Sequence, residues 1–416
     1  MELLAPAGNL EKLKWSIIYG ADAVYFGTEF GSLRSFAGNF TFDDAQAGID
    51  YLHKRGKKGY VTLNIYPFSE EFERLSEVAL TLDEMGIDAF IISDMGLLME
   101  LKRMNLRAGL FISTQANTTN YQAALAYHEL GASRVILARE LSMQRIREIA
   151  EKTKGIIETE VFIHGAVCFS YSGRCAISDY LTGYRANRGE CKHPCRWKYF
   201  LMEETRPGEY MPVFEDERGM YLLNSRDTAL FEFLPELMDA GITSVKIEGR
   251  MKSIHYLATI VSYYRQVLDG KKFTREQSLE MLCRAPNRGL STGFMKGYTD
   301  KEDYQLEESR SCSESIFVGN ITEERCEGKR VLEVRNKIFA GEELEVLNTD
   351  GSITGIKMPI PLVTRNGQQL DEVNHSQFIL IDEELMPCTI LRRVKKLPVF
   401  KDIAHSRGKF KPCKGL

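Results

Sequence analysis

The sequence predicts an α/β protein: a TIM-type (β/α)8 barrel with a cysteine-bearing insertion between strands 7 and 8, followed by a small all-β barrel or sandwich domain. Three observations predict it. Short apolar runs alternate with amphipathic helical patterns from residue 2 to about 165, and polar residues recur just past the ends of those runs. After about residue 285 the pattern changes to alternating runs such as SIFVGNI, KRVLEVRN, GEELEVLN and SQFILIDE, separated by Gly, Asn and Asp turns.

The strand runs are ELLAPAG, DAVYFG, GYVTLN, DAFIIS, RAGLFIST, RVILAR and EVFIHG, starting near 2, 22, 59, 88, 107, 134 and 160. Between them lie helical patterns such as EEFERLSEVALTLDEMG and TNYQAALAYHELG, each closed by a glycine where a helix C-terminus favours one. Seven such units, joined after an interruption by ITSVKIEGR and the helix IHYLATIVSYYRQVLDG, make eight, the number that closes a barrel. An open doubly wound sheet competes with it. The polar strand ends decide for the barrel, because only a barrel brings Asn64, Ser93, Asp94, Thr114, Gln115, Arg139, Glu140, His164, Glu248 and Arg250 to one mouth. MYLLNSRD at 220–227 has no place among eight strands and is expected to join KYFLMEE and YMPVFED in a small antiparallel excursion. The expected division is a barrel over 1–285, with its insertion at about 166–219, a β domain over 315–396 and a basic tail at 397–416.

Hydrophobic residues at 44% and charged residues at 27% are globular values, so the 416-residue chain can bury a large core without staples. The net charge of −4 points to no partner class, which leaves any basic patch to act locally. The N-terminus MELLAPAGNLEKLKW lacks a basic region ahead of an apolar run, and no stretch reaches the length of a membrane span. A cytoplasmic protein without membrane contact is expected. In a reducing compartment its nine cysteines are then unlike disulfide partners, and a tight group of them points to metal or redox chemistry.

Such a group exists. Cys168, Cys175, Cys191 and Cys195 follow the spacing C-x6-C-x15-C-x3-C just past the seventh strand. Four thiolates suit tetrahedral zinc or an iron–sulfur cluster, and unliganded or redox-active thiols are a third reading. Zinc sites favour two short knuckles, whereas only the second pair here is short, which leans toward a cluster. The same stretch is basic: Arg174, Arg185, Arg188, Lys192, Arg196 and Lys198 stand against Asp179 and Glu190, with Tyr171, Tyr180, Tyr184 and Trp197 interleaved. A solvated loop would look like this, and so would an RNA-binding surface on which bases stack. The tail repeats the signal, with nine Lys or Arg from Arg392 onward against Asp402 alone.

Other residues carry weaker signals. Glu248 and Arg250 in KIEGRMKS read either as a structural ion pair or as a base and an anion clamp. Gln115 and Asn117 in STQANTTN can serve a ligand or merely start the next helix, and His164 reads more readily as a hydrogen-bonded barrel histidine than as a ligand. HELGA at 128–132 fails the zinc-protease pattern, and GLSTG at 289–293 matches G-x-S-x-G outside the strand-to-helix context that makes Ser291 a nucleophile.

The long segment FIHGAVCFSYSGRCAISDYLTGYRANRGECKHPCRW, with LLAPAG, AVYFG, LARELS, YLLNSRD and VKIEGRMKS, resembles peptidase family U32 over nearly the whole chain. The resemblance implies hydroxylation rather than proteolysis. Its length and appended β region look most like the branch that forms 5-hydroxyuridine at the tRNA wobble position. It implies a [4Fe-4S] cluster on Cys168, Cys175, Cys191 and Cys195, prephenate as a small carboxylate cosubstrate, and tRNA as partner; a paralogous partner protein stays open. Zinc then becomes the lesser alternative. Expected roles are catalysis by Glu248, Arg250, His164 and Gln115, and RNA binding by Arg174, Arg185, Arg188, Arg196 and Lys198. The rival readings are a U32-type peptidase or collagenase, and a binding or assembly module with a purely structural metal centre.

Overall fold

The computed structural model describes residues 1–32, 39–168, 170–175, 177–196, 201–202, 210–211, 214–216, 219–221, 225–297 and 312–395. The first seven strands are β1 (Glu2–Pro6), β2 (Ala23–Phe26), β3 (Lys58–Leu63), β4 (Ala89–Ile92), β5 (Gly109–Ile112), β6 (Arg134–Ile136) and β7 (Glu158–Ala166). They alternate with helices α1 (Leu10–Ile18), α2 (Phe42–His53), α3 (Phe72–Glu84), α4 (Met95–Arg103), α5 (Tyr121–Glu129) and α6 (Met143–Thr153). Most of these helices start on a short polar side chain that accepts a backbone N–H of the first turn: Asn9 from Lys12, Thr41 from Asp44, Asp94 from Leu97, Asn120 from Ala123 and Ser142 from Arg145. The glycines expected to close α3 and α5, Gly86 and Gly131, sit at φ 89° and 103°, a backbone region that other residues enter at a cost.

The chain then leaves the barrel. Helix α7 (Ile177–Thr182) and two hairpins follow, β8 (Leu201–Met202) with β9 (Tyr210–Met211) and β10 (Phe214–Asp216) with β11 (Gly219–Tyr221). This is the antiparallel excursion that the sequence implied. The end of the run MYLLNSRD has a second role: β12 (Asp227–Ala229) pairs antiparallel with the end of β7, outside the cylinder. After α8 (Leu234–Asp239), β13 (Ser244–Ile247) pairs parallel with both β7 and β1 and closes eight parallel strands into the barrel.

A charged network fills the end of the barrel at which the strands begin. Arg134, 3% exposed, bonds Glu2 at 2.6 Å and Glu160 at 3.0 Å and pairs with Glu158 at 2.7 Å, while its guanidinium lies 4.4 Å from the Phe111 ring centroid. Lys246 reaches Glu160 at 3.2 Å, and Tyr60 and Ser244 donate to Glu2. Burial opposes the charge on Arg134, yet Glu160 and Glu2 outweigh it and hold the pKa above its usual value. Burial likewise lowers Lys246, with Glu160 opposing.

Helix α9 (Ile254–Leu268) is buried on every side from Ile254 to Tyr264, because the barrel packs on one face and the β domain on the other. That domain is an antiparallel sheet of eight strands with its own core, including Val318, Leu332, Val346, Ile379 and Leu391. Across the junction Tyr19 donates to the carbonyl of Cys388 at 2.9 Å, and the fully buried Arg392 bonds Glu345 at 2.6 Å and Thr259 of α9 at 3.1 Å. Among the described residues no helix is long and apolar enough to cross a membrane.

Replacing Arg134 with Leu leaves Glu160 and Glu2 without their shared partner, and removing one member of a buried ion network costs about 3–5 kcal/mol. The urea midpoint of Arg134→Leu should fall accordingly; a midpoint within error of the parent would show that the network adds nothing to barrel closure.

Candidate functional site

The strand ends meet at a polar cavity of about 100 Å³. Arg250 stands at one side, 4% exposed, and donates to Ser32 at 2.5 Å, Asn39 at 2.8 Å and Thr62 at 3.4 Å. Two glycines of the early strand motifs make room for it. A Cβ at Gly27 would come within 2.3 Å of the Arg250 guanidinium, and one at Gly8 within 2.3 Å of its carbonyl. The simple ion pair between Glu248 and Arg250 is not what forms: Glu248 accepts from Tyr25 at 3.3 Å and faces Arg139 at 3.7 Å. Arg139 also donates to the Ala166 carbonyl and lies 3.7 Å from the Phe162 ring centroid, so it is braced against β7.

Gln115 lines the same cavity. Its backbone carbonyl accepts from Tyr66 at 2.6 Å and Arg174 at 3.0 Å, while its side-chain oxygen is buried without a hydrogen-bond partner among the described residues. Gly173, at φ 76°, packs so closely on the Gln115 amide that a Cβ would approach Nε2 to 2.8 Å. Lys246 also lines this cavity, and the sequence offered little sign of it, since Val245 and Ile247 make it look like part of an apolar strand.

His164 does not join that group. It is 2% exposed and lines a second chamber of about 180 Å³, where its Nδ1 lies 3.2 Å from the Tyr264 hydroxyl. Burial pushes its pKa down to about 4, so at neutral pH the ring is uncharged. Ser291 lines this chamber too, but its hydroxyl accepts the Gly293 N–H at 3.1 Å within a two-residue strand, away from any nucleophile elbow.

Cys168 borders both cavities and is exposed; Cys175 is buried, and Cys191 and Cys195 are half-buried. The His193 N–H points at the Cys191 sulfur at 3.4 Å, the kind of bond that stabilises a thiolate. In donor chemistry the four thiols suit a soft metal centre. Among the described residues, however, no three His, Cys, Asp or Glu side chains are gathered tightly enough to hold a metal ion.

The cysteine segment is fastened to the barrel at two places. Ser172, at φ 47°, gives its N–H to Glu140 at 2.5 Å and sets its hydroxyl 2.9 Å from Asn117. Arg188 grips both carboxylate oxygens of Glu71, with one contact at 2.9 Å, and donates to the Tyr66 carbonyl. That bond pulls the Glu71 carboxyl below its usual range. Arg174 bonds Tyr66, and Arg185 lies 5.7 Å from the Phe68 ring centroid. Arg174 and Arg188 thus anchor the segment whatever else they do, while Tyr180 and Tyr184 stand exposed. The side chain of Arg196, all of Lys198 and the basic tail lie outside the described residues.

Residues 8–305 match the family model described as Peptidase family U32, and residues 313–392 match that for the Peptidase family U32 C-terminal domain. The tRNA hydroxylation protein P1 of Bacillus subtilis is 36% identical over 95% of this chain and 95% of its own length. The tRNA hydroxylation protein P of Escherichia coli is 36% identical over 85% of this chain and 87% of its own. The 23S rRNA 5-hydroxycytidine C2501 synthase of Escherichia coli is 37% identical over 65% of this chain and 39% of its own.

Removing the Arg188 fork should loosen the cysteine segment without unfolding the barrel. A charge-assisted bond of this kind is worth about 1.5–3 kcal/mol, so in Arg188→Ala limited proteolysis between residues 168 and 196 should run at least ~10-fold faster. Unchanged cleavage would assign the hold to Ser172 and Glu140.

Proposed function

The chain belongs to peptidase family U32, and from that membership we propose that it is an enzyme of RNA modification: an iron–sulfur protein that hydroxylates a tRNA uridine to 5-hydroxyuridine at the wobble position, with prephenate as cosubstrate. One observation carries this reading. The match to a tRNA hydroxylation protein, 36% identical, covers 95% of both chains, a length that takes in barrel, cysteine segment and β domain.

The residues suit the assignment. Cys168, Cys175, Cys191 and Cys195 would hold the [4Fe-4S] cluster, with zinc as the lesser alternative, and the cluster would supply electron-transfer or Lewis-acid chemistry beside the barrel mouth. Arg250 and Lys246 bring positive charge to the polar cavity, which suits a carboxylate such as prephenate. Glu248, held between Tyr25 and Arg139, can accept a proton from a bound group, and the Gln115 side-chain oxygen can accept a hydrogen bond there. The exposed tyrosines and basic side chains of the cysteine segment offer RNA a stacking and phosphate-binding surface.

A strain lacking this chain should lose 5-hydroxyuridine-derived nucleosides from its tRNA by mass spectrometry, and the parent gene should restore them while Cys191→Ala does not. Normal nucleoside levels in the deletion strain would defeat the tRNA reading. Protein purified without oxygen should be brown, with about four iron and four sulfide per chain. Colourless protein holding one zinc would replace the cluster and leave the RNA result to stand by itself.

A further inference from the structure

The four cysteines fall into two halves on either side of α7: Cys168 and Cys175 precede it, and Cys191 and Cys195 follow it. Cys168 lies two residues past the end of β7, so the barrel wall directs where it starts. Cys175 belongs to no strand or helix, and its backbone is held by one side chain from beyond α7. The Cys175 N–H donates to Asn187 Oδ1 at 3.1 Å, and Asn187 Nδ2 donates to the Cys175 carbonyl at 3.1 Å. This pair of bonds stands in for the exchange that a neighbouring antiparallel strand would make. Asn187 is itself fixed to the barrel. Its carbonyl accepts the Tyr66 N–H at 3.5 Å, and the next residue, Arg188, forks onto Glu71.

A carboxamide makes both bonds because it carries a donor and an acceptor side by side, whereas a carboxylate of the same shape only accepts. A restraint therefore runs from the 66–71 loop through Arg188 and Asn187 to the main chain of Cys175, and Asn187 stands four residues before Cys191. Resting on the cluster reading above, we propose that Asn187 is a positioning residue for the metal centre: it holds Cys175 to the half of the segment that carries Cys191 and Cys195, so that thiols from both halves serve one cluster. The chain between Cys168 and Cys175 turns through Ser172 and Gly173, at φ 47° and 76°, and the clasp fixes where that turn delivers the second thiol.

The full chain, purified without oxygen, is compared with Asn187→Ala and with Cys175→Ala by iron and sulfide content and by EPR. A cluster deprived of one cysteine gives up the iron that this cysteine held. Both variants should therefore carry about three iron per chain against about four in the parent, with a paramagnetic signal as isolated that the parent lacks. Asn187→Asp keeps the acceptor for the Cys175 N–H but loses the donor, and should give a mixture of the two forms. The parent's iron count and spectrum in Asn187→Ala, or in Asn187→Asp should the alanine variant not fold, overturn the role. Loss of all iron in a folded Asn187→Ala, while Cys175→Ala keeps most of its own, also overturns it, because the side chain would then support the whole segment and not Cys175. Parent protein without iron overturns the cluster reading itself, and this role with it, ahead of any variant.

Discussion

The barrel depends on one buried charge. Arg134 stands where strands β1, β6 and β7 come together, and its contacts to Glu2, Glu158 and Glu160 span the strands that must close the cylinder. Lys246 extends the network to β13, the strand that completes the ring after the long excursion. A core of aliphatic side chains would fill the same space but would specify the meeting of β13 with β7 and β1 less sharply, since hydrophobic contact has no direction. The unusual geometry has a consequence for chemistry: Lys246 sits between the sealed end and the mouth, so the group that closes the barrel also charges its cavity.

At the mouth, the arrangement turns on close approaches that only glycine permits. Gly8 and Gly27 admit Arg250, and Gly173 lets the cysteine segment lie on Gln115. With Ser172 on Glu140 and Arg188 on Glu71, these contacts fasten a segment of little regular structure to a rigid scaffold. Cys168 thereby borders the cavity instead of hanging beside it. The β domain supports this from the far side through α9, whose burial is completed by contacts such as Arg392 to Thr259 and the stacking of His255 on Phe317 at 5.5 Å.

Much of this was legible in the sequence, for identifiable reasons. The period of apolar runs and helices is local information, so the eight strands and the glycines that close the helices could be read directly, and so could the all-β character of the last third. Four cysteines in one short stretch are a compositional signal that needs no structure. The polar strand ends also located the mouth, because barrel topology dictates where they go. The partners could not be read, since they depend on which residues meet across long sequence distances: Glu248 meets Arg139, Arg250 meets Ser32 and Asn39, and Arg188 meets Glu71.

By itself, then, the chain's sequence determined the fold class, the location of the mouth and the chemistry of the thiol donor set, all of which follow from spacing along the chain. Only the tertiary structure decided that His164 lines a second chamber apart from the polar cavity, and that two of the segment's arginines act as anchors. The physical reason is burial. Whether a buried polar atom is satisfied depends on what the folded chain brings within 3 Å of it, and no periodicity records that.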